Sequence, residues 1–346
     1  MQCDVWQLRL VAILVICGVA RAQATRPFER EISIQTDDGV TLGASLMLPA
    51  SVEPERKVPG MVLVAGSGPT DRNGNQFGFH PDLLRQLSAA LADAGIASLR
   101  YDKRNIGLAR RFMPADPQRL VEHVAWTNFV ADTRSALSTL RRQAEIDPAR
   151  TGMLGHSEGG MLILDASTAL HDNIAPRVLV LISTPGRTAD RIIREQLDAY
   201  LLQLKATPEQ TRFILEENAR ITAAIRSTGK TPPDVPTGLQ TIYPPEIGKF
   251  FQQELEVDPA SLAAQYGGPV LVVAGEKDHQ VSAQHDVPLL DAALRSRPGD
   301  DHETLRIPSA SHNLKPVKDD ADPGISGSIP PDALKQIVAW VHAKLN

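Results

Sequence analysis

Gly155-His156-Ser157-Glu158-Gly159 lies between the apolar stretch Met153-Leu154 and the apolar run Met161-Leu162-Ile163-Leu164. A short strand that turns abruptly into a helix fits this order. The turn is so tight that only very small residues fit two positions before and two after its centre, hence the G-x-S-x-G spacing. Such a turn lifts Ser157 out of a sheet and exposes its hydroxyl. It also aims the first amides of the following helix at the same point, where they favour negative charge on an oxygen. Ser157 is therefore a candidate nucleophile if the rest of the chain supplies a base and an acid. The competing reading is a glycine-rich connection that happens to contain serine.

The pattern on either side predicts an α/β architecture. Residues 31–36 alternate apolar and polar, Asp38-Gly39 makes a turn, and residues 41–48 resume the pattern, which reads as an antiparallel hairpin. Gly60 to Ala65 is a continuous apolar run, as for a strand buried on both faces. Helices are expected near 82–94 and 121–144, with a strand at 96–101 between them. Further strands are expected at 178–182, 270–274 and 304–307, and a last helix near 332–345. Strands alternating with helices mean a mostly parallel central sheet flanked by helices. Between Ser183 and Gly268 only helical pattern and proline-rich connections such as Thr231-Pro232-Pro233 occur. That stretch predicts a helical cap insertion over the strand ends. The expected organisation is a signal peptide at 1–22, a core in two parts at 23–186 and 268–346, and the cap at 187–267. No internal repeat is present.

Export is the expectation for the N-terminus. Leu8 to Ala20 is apolar apart from Arg9 and Gly18, too short to span a bilayer, and Ala20-Arg21-Ala22 puts small residues at a cleavage site. An uncleaved anchor is the alternative. Ile16 before Cys17 argues against a lipoprotein. The two cysteines, Cys3 and Cys17, both fall inside this segment, so the mature chain would hold no thiol and form no disulfide. A periplasmic or secreted protein, without stable membrane association once the signal is removed, is expected. A net charge of −5 and no basic run argue against nucleic-acid binding.

A serine nucleophile needs a base, and the base needs an anion to fix its tautomer. In a parallel sheet both belong on loops past the carboxyl ends of later strands. Asp278 follows the 270–274 strand in Gly275-Glu276-Lys277-Asp278, and His312 follows the last strand in Ser309-Ala310-Ser311-His312. The chain order Ser157, Asp278, His312 is the one expected. Nine histidines compete for the base, among them His156, His279, His285 and His302, and Glu276 and Asp286 compete for the acid. Gly66-Ser67-Gly68 follows the third strand, where the second oxyanion donor belongs, so the amides of Ser67 and Glu158 are the expected oxyanion hole. Asp71, Arg72, Asn73, Asp102 and Arg104 read as loop clamps, and Lys315 as a solvated residue. No metal-ligand spacing and no G-x-G-x-x-G fingerprint occur, so no metal or cofactor is expected.

These segments together resemble the α/β-hydrolase superfamily. More narrowly, Val64 to Gly74 and Arg100-Tyr101-Asp102-Lys103-Arg104 are similar to exported bacterial hydrolases of the serine-aminopeptidase-like, esterase-type branch. The resemblance runs from about Glu31 to Leu345 and implies the α/β-hydrolase fold. Asn105 departs from it, since relatives usually carry glycine after the arginine. A small or medium acyl ester is the expected substrate. The alternatives are acyl transfer to another acceptor on the same triad and a peptide-like substrate, the latter needing a carboxylate such as Glu158 or Asp71 to hold a free amine. The N-terminal reading has a direct check: the full chain produced in an exporting bacterium should be recovered from the periplasm or medium beginning at Gln23, by N-terminal sequencing.

Overall fold

A computed structural model describes residues 26–346 apart from 54, 169–174, 300 and 320–321. The expected signal segment lies outside the described residues. The first half of the chain runs β1 (Phe28–Gln35), β2 (Thr41–Leu48), β3 (Val58–Val64), α1 (Leu83–Asp93), β4 (Ala97–Tyr101), α2 (Pro117–His123), α3 (Trp126–Arg141), β5 (Ile146–His156) and α4 (Glu158–Thr168). The second runs β6 (Leu179–Ile182), α5 (Ala189–Gln203), α6 (Pro208–Thr228), α7 (Gly248–Glu254), α8 (Pro259–Gln265), β7 (Val270–Gly275), α9 (Val287–Arg295), β8 (His302–Ile307) and α10 (Pro331–Leu345).

The eight strands form one sheet in the order β1-β2-β4-β3-β5-β6-β7-β8. The predicted hairpin pairs Ile32 with Ala44, and β2 is also antiparallel to β4. Every other pairing is parallel. From β3 the chain first goes to one side, to β4, and then to the other, to β5. That reversal opens a crevice at the carboxyl ends of β3 and β5, the place where open α/β sheets bind ligands. Gly66-Ser67-Gly68 and Ser157 both leave the sheet there.

The central strands are buried on both faces, so β3 and β7 are apolar throughout with no polar alternation. Two hydrophobic clusters cover the faces. One holds Trp126, Phe129, Leu162, Leu181 and Leu290, the other Leu87, Ile182, Ile337 and Val341. The single helix expected at 121–144 is two helices. The first is capped by the Asp116 side chain on the Arg119 amide at 2.9 Å, with Pro117 at its first position. It ends at Val124-Ala125, where the chain turns so that Trp126 is buried.

Helices α5 to α7 share a small cluster of their own, with Leu197, Ile221, Ile225, Leu239 and Leu255. Thr207 opens α6 with a reciprocal capping box to Gln210, and Gly229 closes it at φ 66°. The helical segment meets the main body through Phe250, edge-on to both Trp126 and Phe129 at 5.4 Å. Arg187 grips Asp286 at 2.8 and 3.0 Å, and Gln196 donates to the Gln280 carbonyl. Its last helix differs from the others, since Ala263 of α8 packs in the main core rather than with α5 to α7.

Arg104 and Asp132, both fully buried, make two parallel hydrogen bonds of 2.8 and 2.6 Å. Arg104 also donates to Asp38 and to the His123 carbonyl, which ties the β1–β2 turn, α2 and α3 together. Removing one partner leaves an uncompensated charge in the core. Arg104→Met should therefore cost about 3–5 kcal/mol in urea unfolding.

Candidate active site

Crowding at the β5–α4 turn dictates its residues. A methyl group on Gly159 would lie 2.4 Å from the Val64 carbonyl oxygen, and one on Gly155 would lie 2.3 Å from that of Gly159. Backbone is touching backbone at both positions, so no side chain fits. Ser157 is forced into the left-handed region at φ 55°. Its amide donates to the Ile182 carbonyl of β6 at 2.8 Å, and its carbonyl accepts from Gly160. Two further non-glycine residues of the same end, Ser183 at φ 47° and Leu314 at φ 53°, share this costly conformation.

Asp278 and His312 are together. His312 Nδ1 and Asp278 Oδ2 are 2.8 Å apart, both side chains nearly inaccessible. The other carboxylate oxygen of Asp278 accepts from the amides of Gln280 and Val281 at 2.8 and 2.9 Å. Burial works to raise the Asp278 pKa, but His312 and these amides outweigh it and hold the carboxyl below its ordinary range. The His312 carbonyl is gripped by Ser183 Oγ at 2.9 Å and His156 Nε2 at 3.0 Å. His156, the residue before Ser157, lies with its ring 4.7 Å from that of His312. Burial, helped by the neighbouring His312, pushes the His156 pKa down to about 3. It therefore stays neutral and does not compete as a base. Among the described residues no hydrogen bond joins the Ser157 hydroxyl to His312.

The competing residues have other partners. Asp286 is consumed by Arg187 and the Gly186 amide, and Glu276 is exposed beside Arg306. His285 pairs with Glu195, His302 faces Asp291, and His279 is exposed.

The Gly66-Ser67-Gly68 segment is firmly held. Thr70 Oγ1 and Gln76 Nε2 donate to the Ser67 carbonyl at 2.8 and 2.7 Å. Gly66 packs against the turn, where a methyl group would come 3.3 Å from Ser157 Cβ. Asp71 accepts from the amides of Asn73 and Asn75, and Arg72 makes three hydrogen bonds to the Asp102 carboxylate. Asn105, where glycine is usual, does not take a positive φ; Gly107 does, at 53°.

Two findings depart from the sequence reading. Lys315 is wholly buried, and its ammonium has no hydrogen-bond partner among the described residues. Burial lowers its pKa to about 8. It was expected to be solvated, but Leu314 at positive φ turns the chain back so that Lys315 O bonds the Ser311 amide, which carries the side chain inward. The Glu158 carboxylate, considered as an amine anchor, is instead bound at 2.5 Å by Lys103. Lys103, Ser183 and Glu254 were not singled out beforehand. Only position marked the first two, as polar residues just past a strand. Glu254, on α7, is buried, and its pKa is raised by burial and by the Glu158 charge despite Lys103.

A cleft of about 1100 Å³ between α2 and the α6–α7 connection is lined by Glu122, His123 and Lys249. Neither Ser157 nor His312 contributes to it.

The alpha/beta hydrolase family model matches residues 61–321. Esterase EstD of Thermotoga maritima is 29% identical over 228 residues, 65% of this chain and 47% of that protein. The chain thus spans about half the length of the curated relatives it matches. The esterase domain of a Rhodothermus marinus protein superposes with a TM-score of 0.52 at 16% identity, covering 92% of this chain and all of that one. A Mycobacterium tuberculosis puromycin-hydrolyzing peptidase gives 0.57 at 18% identity, over 93% of this chain and 40% of that one. At these identities the two structures speak for the fold.

Glu254 makes a pH test. A carboxyl whose pKa is raised on folding loses stability as pH climbs through that raised value, and loses none where it is protonated in both states. Glu254→Gln should raise the melting temperature at about pH 8 and leave it nearly unchanged at about pH 4. Equal differences at both would show that Glu254 is not held toward its neutral form.

Proposed function

The chain belongs to the alpha/beta hydrolase family, and on that basis we propose that it is an exported serine hydrolase, a carboxylesterase cleaving small or medium acyl esters. The buried His312–Asp278 pair, set on the residue preceding Ser157, carries this reading. Ser157 Oγ attacks the acyl carbon and gives its proton to His312 Nε2, while the carbonyl π pair moves onto oxygen. The amides of Ser67 and Glu158 receive that oxyanion. Collapse breaks the ester C–O bond, and the alcohol leaves with the proton from His312. Water then attacks the acyl-enzyme with His312 again taking a proton, and the acid departs as Ser157 recovers its own. Asp278 holds Nδ1–H throughout and stabilises the imidazolium. Hydrogen bonds at such sites commonly tighten only once substrate is bound, which fits the unjoined Ser157 hydroxyl.

The peptidase alternative needs a carboxylate free to hold an ammonium. Glu158 is paired with Lys103, and Asp71 is consumed by its own turn. Glu254, pressed toward its neutral form, attracts a cation poorly. These observations favour the ester. A stopped-flow trace with p-nitrophenyl acetate should show a stoichiometric burst that Ser157→Ala abolishes, together with labelling by a fluorophosphonate. Faster turnover of an aminoacyl anilide than of the matched ester would overturn the ester reading.

A further inference from the structure

Asp102 and Lys103, adjacent residues just past β4, each hold a different wall of the oxyanion site. The Asp102 carboxylate accepts from the Arg72 amide at 2.9 Å and from its guanidinium at 2.8 and 3.1 Å. Arg72 lies on the Ser67 loop, and the Lys103 amide reaches Thr70 of the same loop at 3.4 Å. The Lys103 ammonium goes the other way, to Glu158 Oε1 at 2.5 Å. Glu158 opens α4, so its N–H has no helical acceptor behind it and is free to donate. The Ser67 N–H also donates to no group among the described residues. Strand β3 separates β4 from β5 in the sheet, so this dipeptide bridges over the end of β3 from one donor to the other.

The ion pair is nearly shielded from water. Lys103 and Glu158 are both buried, and the ammonium lies 5.5 Å from the centre of the Phe129 ring. A pair this dry is held to a narrow geometry, because a displaced charge would lose its hydrogen-bonded partner while staying out of water, and the nearby Glu254 carboxyl, pressed toward its neutral form, compensates it poorly. It therefore resists the drift of the α4 N-terminus that a solvated pair would permit.

Resting on the oxyanion assignment above, we propose that Lys103, braced by Asp102, is a positioning residue that fixes the separation of the Ser67 and Glu158 amides. Lys103 touches no reacting atom. It acts by holding Glu158 N–H where the oxyanion forms.

The test uses the mature chain with p-nitrophenyl acetate. Lys103→Met should lower kcat by about 10- to 100-fold, less than the roughly 100- to 1000-fold cost of losing a donor outright, and leave KM within about twofold. Affinity for a trifluoromethyl ketone, which forms the tetrahedral oxyanion, should fall with kcat, and affinity for the carboxylate product should not. Glu158→Leu keeps the backbone amide but removes the acceptor of Lys103 and should match Lys103→Met. The double variant should be no worse than either single change, because the two act as a unit. Lys103→Arg, which keeps the cation, should recover part of the loss and remains informative if the methionine variant does not fold. Unchanged kcat in folded Glu158→Leu, or loss of ketone and product affinity together, would overturn the brace. Activity persisting in Ser157→Ala would instead overturn the nucleophile assignment and leave the brace without a site, so the two failures are distinguishable.

Discussion

Backbone pressed against backbone at the β5–α4 turn is the constraint on which the rest of this site depends. Gly159 rests on the carbonyls that end β3, and Gly155 rests on Gly159. With no room for a side chain at either place, the chain can pass from strand to helix only by putting Ser157 at positive φ. The local cost of that conformation is of order 1–3 kcal/mol, and the packed sheet and α4 supply it. In return the hydroxyl, the helix N-terminus and the end of β3 converge on one point.

Buried ion pairs then hold the loops around that point. Arg104 with Asp132, Arg72 with Asp102 and Lys103 with Glu158 all follow from the one segment that leaves β4. Charges taken out of water are held to narrow geometries, since each loses hydrogen-bonded partners of opposite charge if it moves. They add little net stability compared with apolar residues of the same volume, but they leave the loops few alternatives. His312 is placed differently. Its backbone carbonyl is held by two neutral donors, Ser183 and His156, and its ring by Asp278. Its backbone and its ring are thus fixed by separate groups.

Much of the fold was legible because its signals are local. Apolar runs marked the doubly buried strands, alternation marked the hairpin, and G-x-S-x-G marked the turn. The break at Val124-Ala125 was not legible, because apolar periodicity continues through it and only the burial of Trp126 requires the chain to turn. Lys315 was misread for a similar reason. A lysine in the loop just past His312 looks solvated until Leu314 at positive φ folds it back.

Residue type and chain order alone singled out Ser157, Asp278, His312 and the glycines around them, because a strand-to-helix turn and loops past parallel strands impose themselves through short-range sterics. That His312 lies against Asp278, and what Lys103 and Glu254 face, only the tertiary structure shows. Those relations join residues from 34 to 55 positions apart or more. No pattern of neighbours encodes them; they follow from the order in which strands enter the sheet, which decides whose loops meet at its edge.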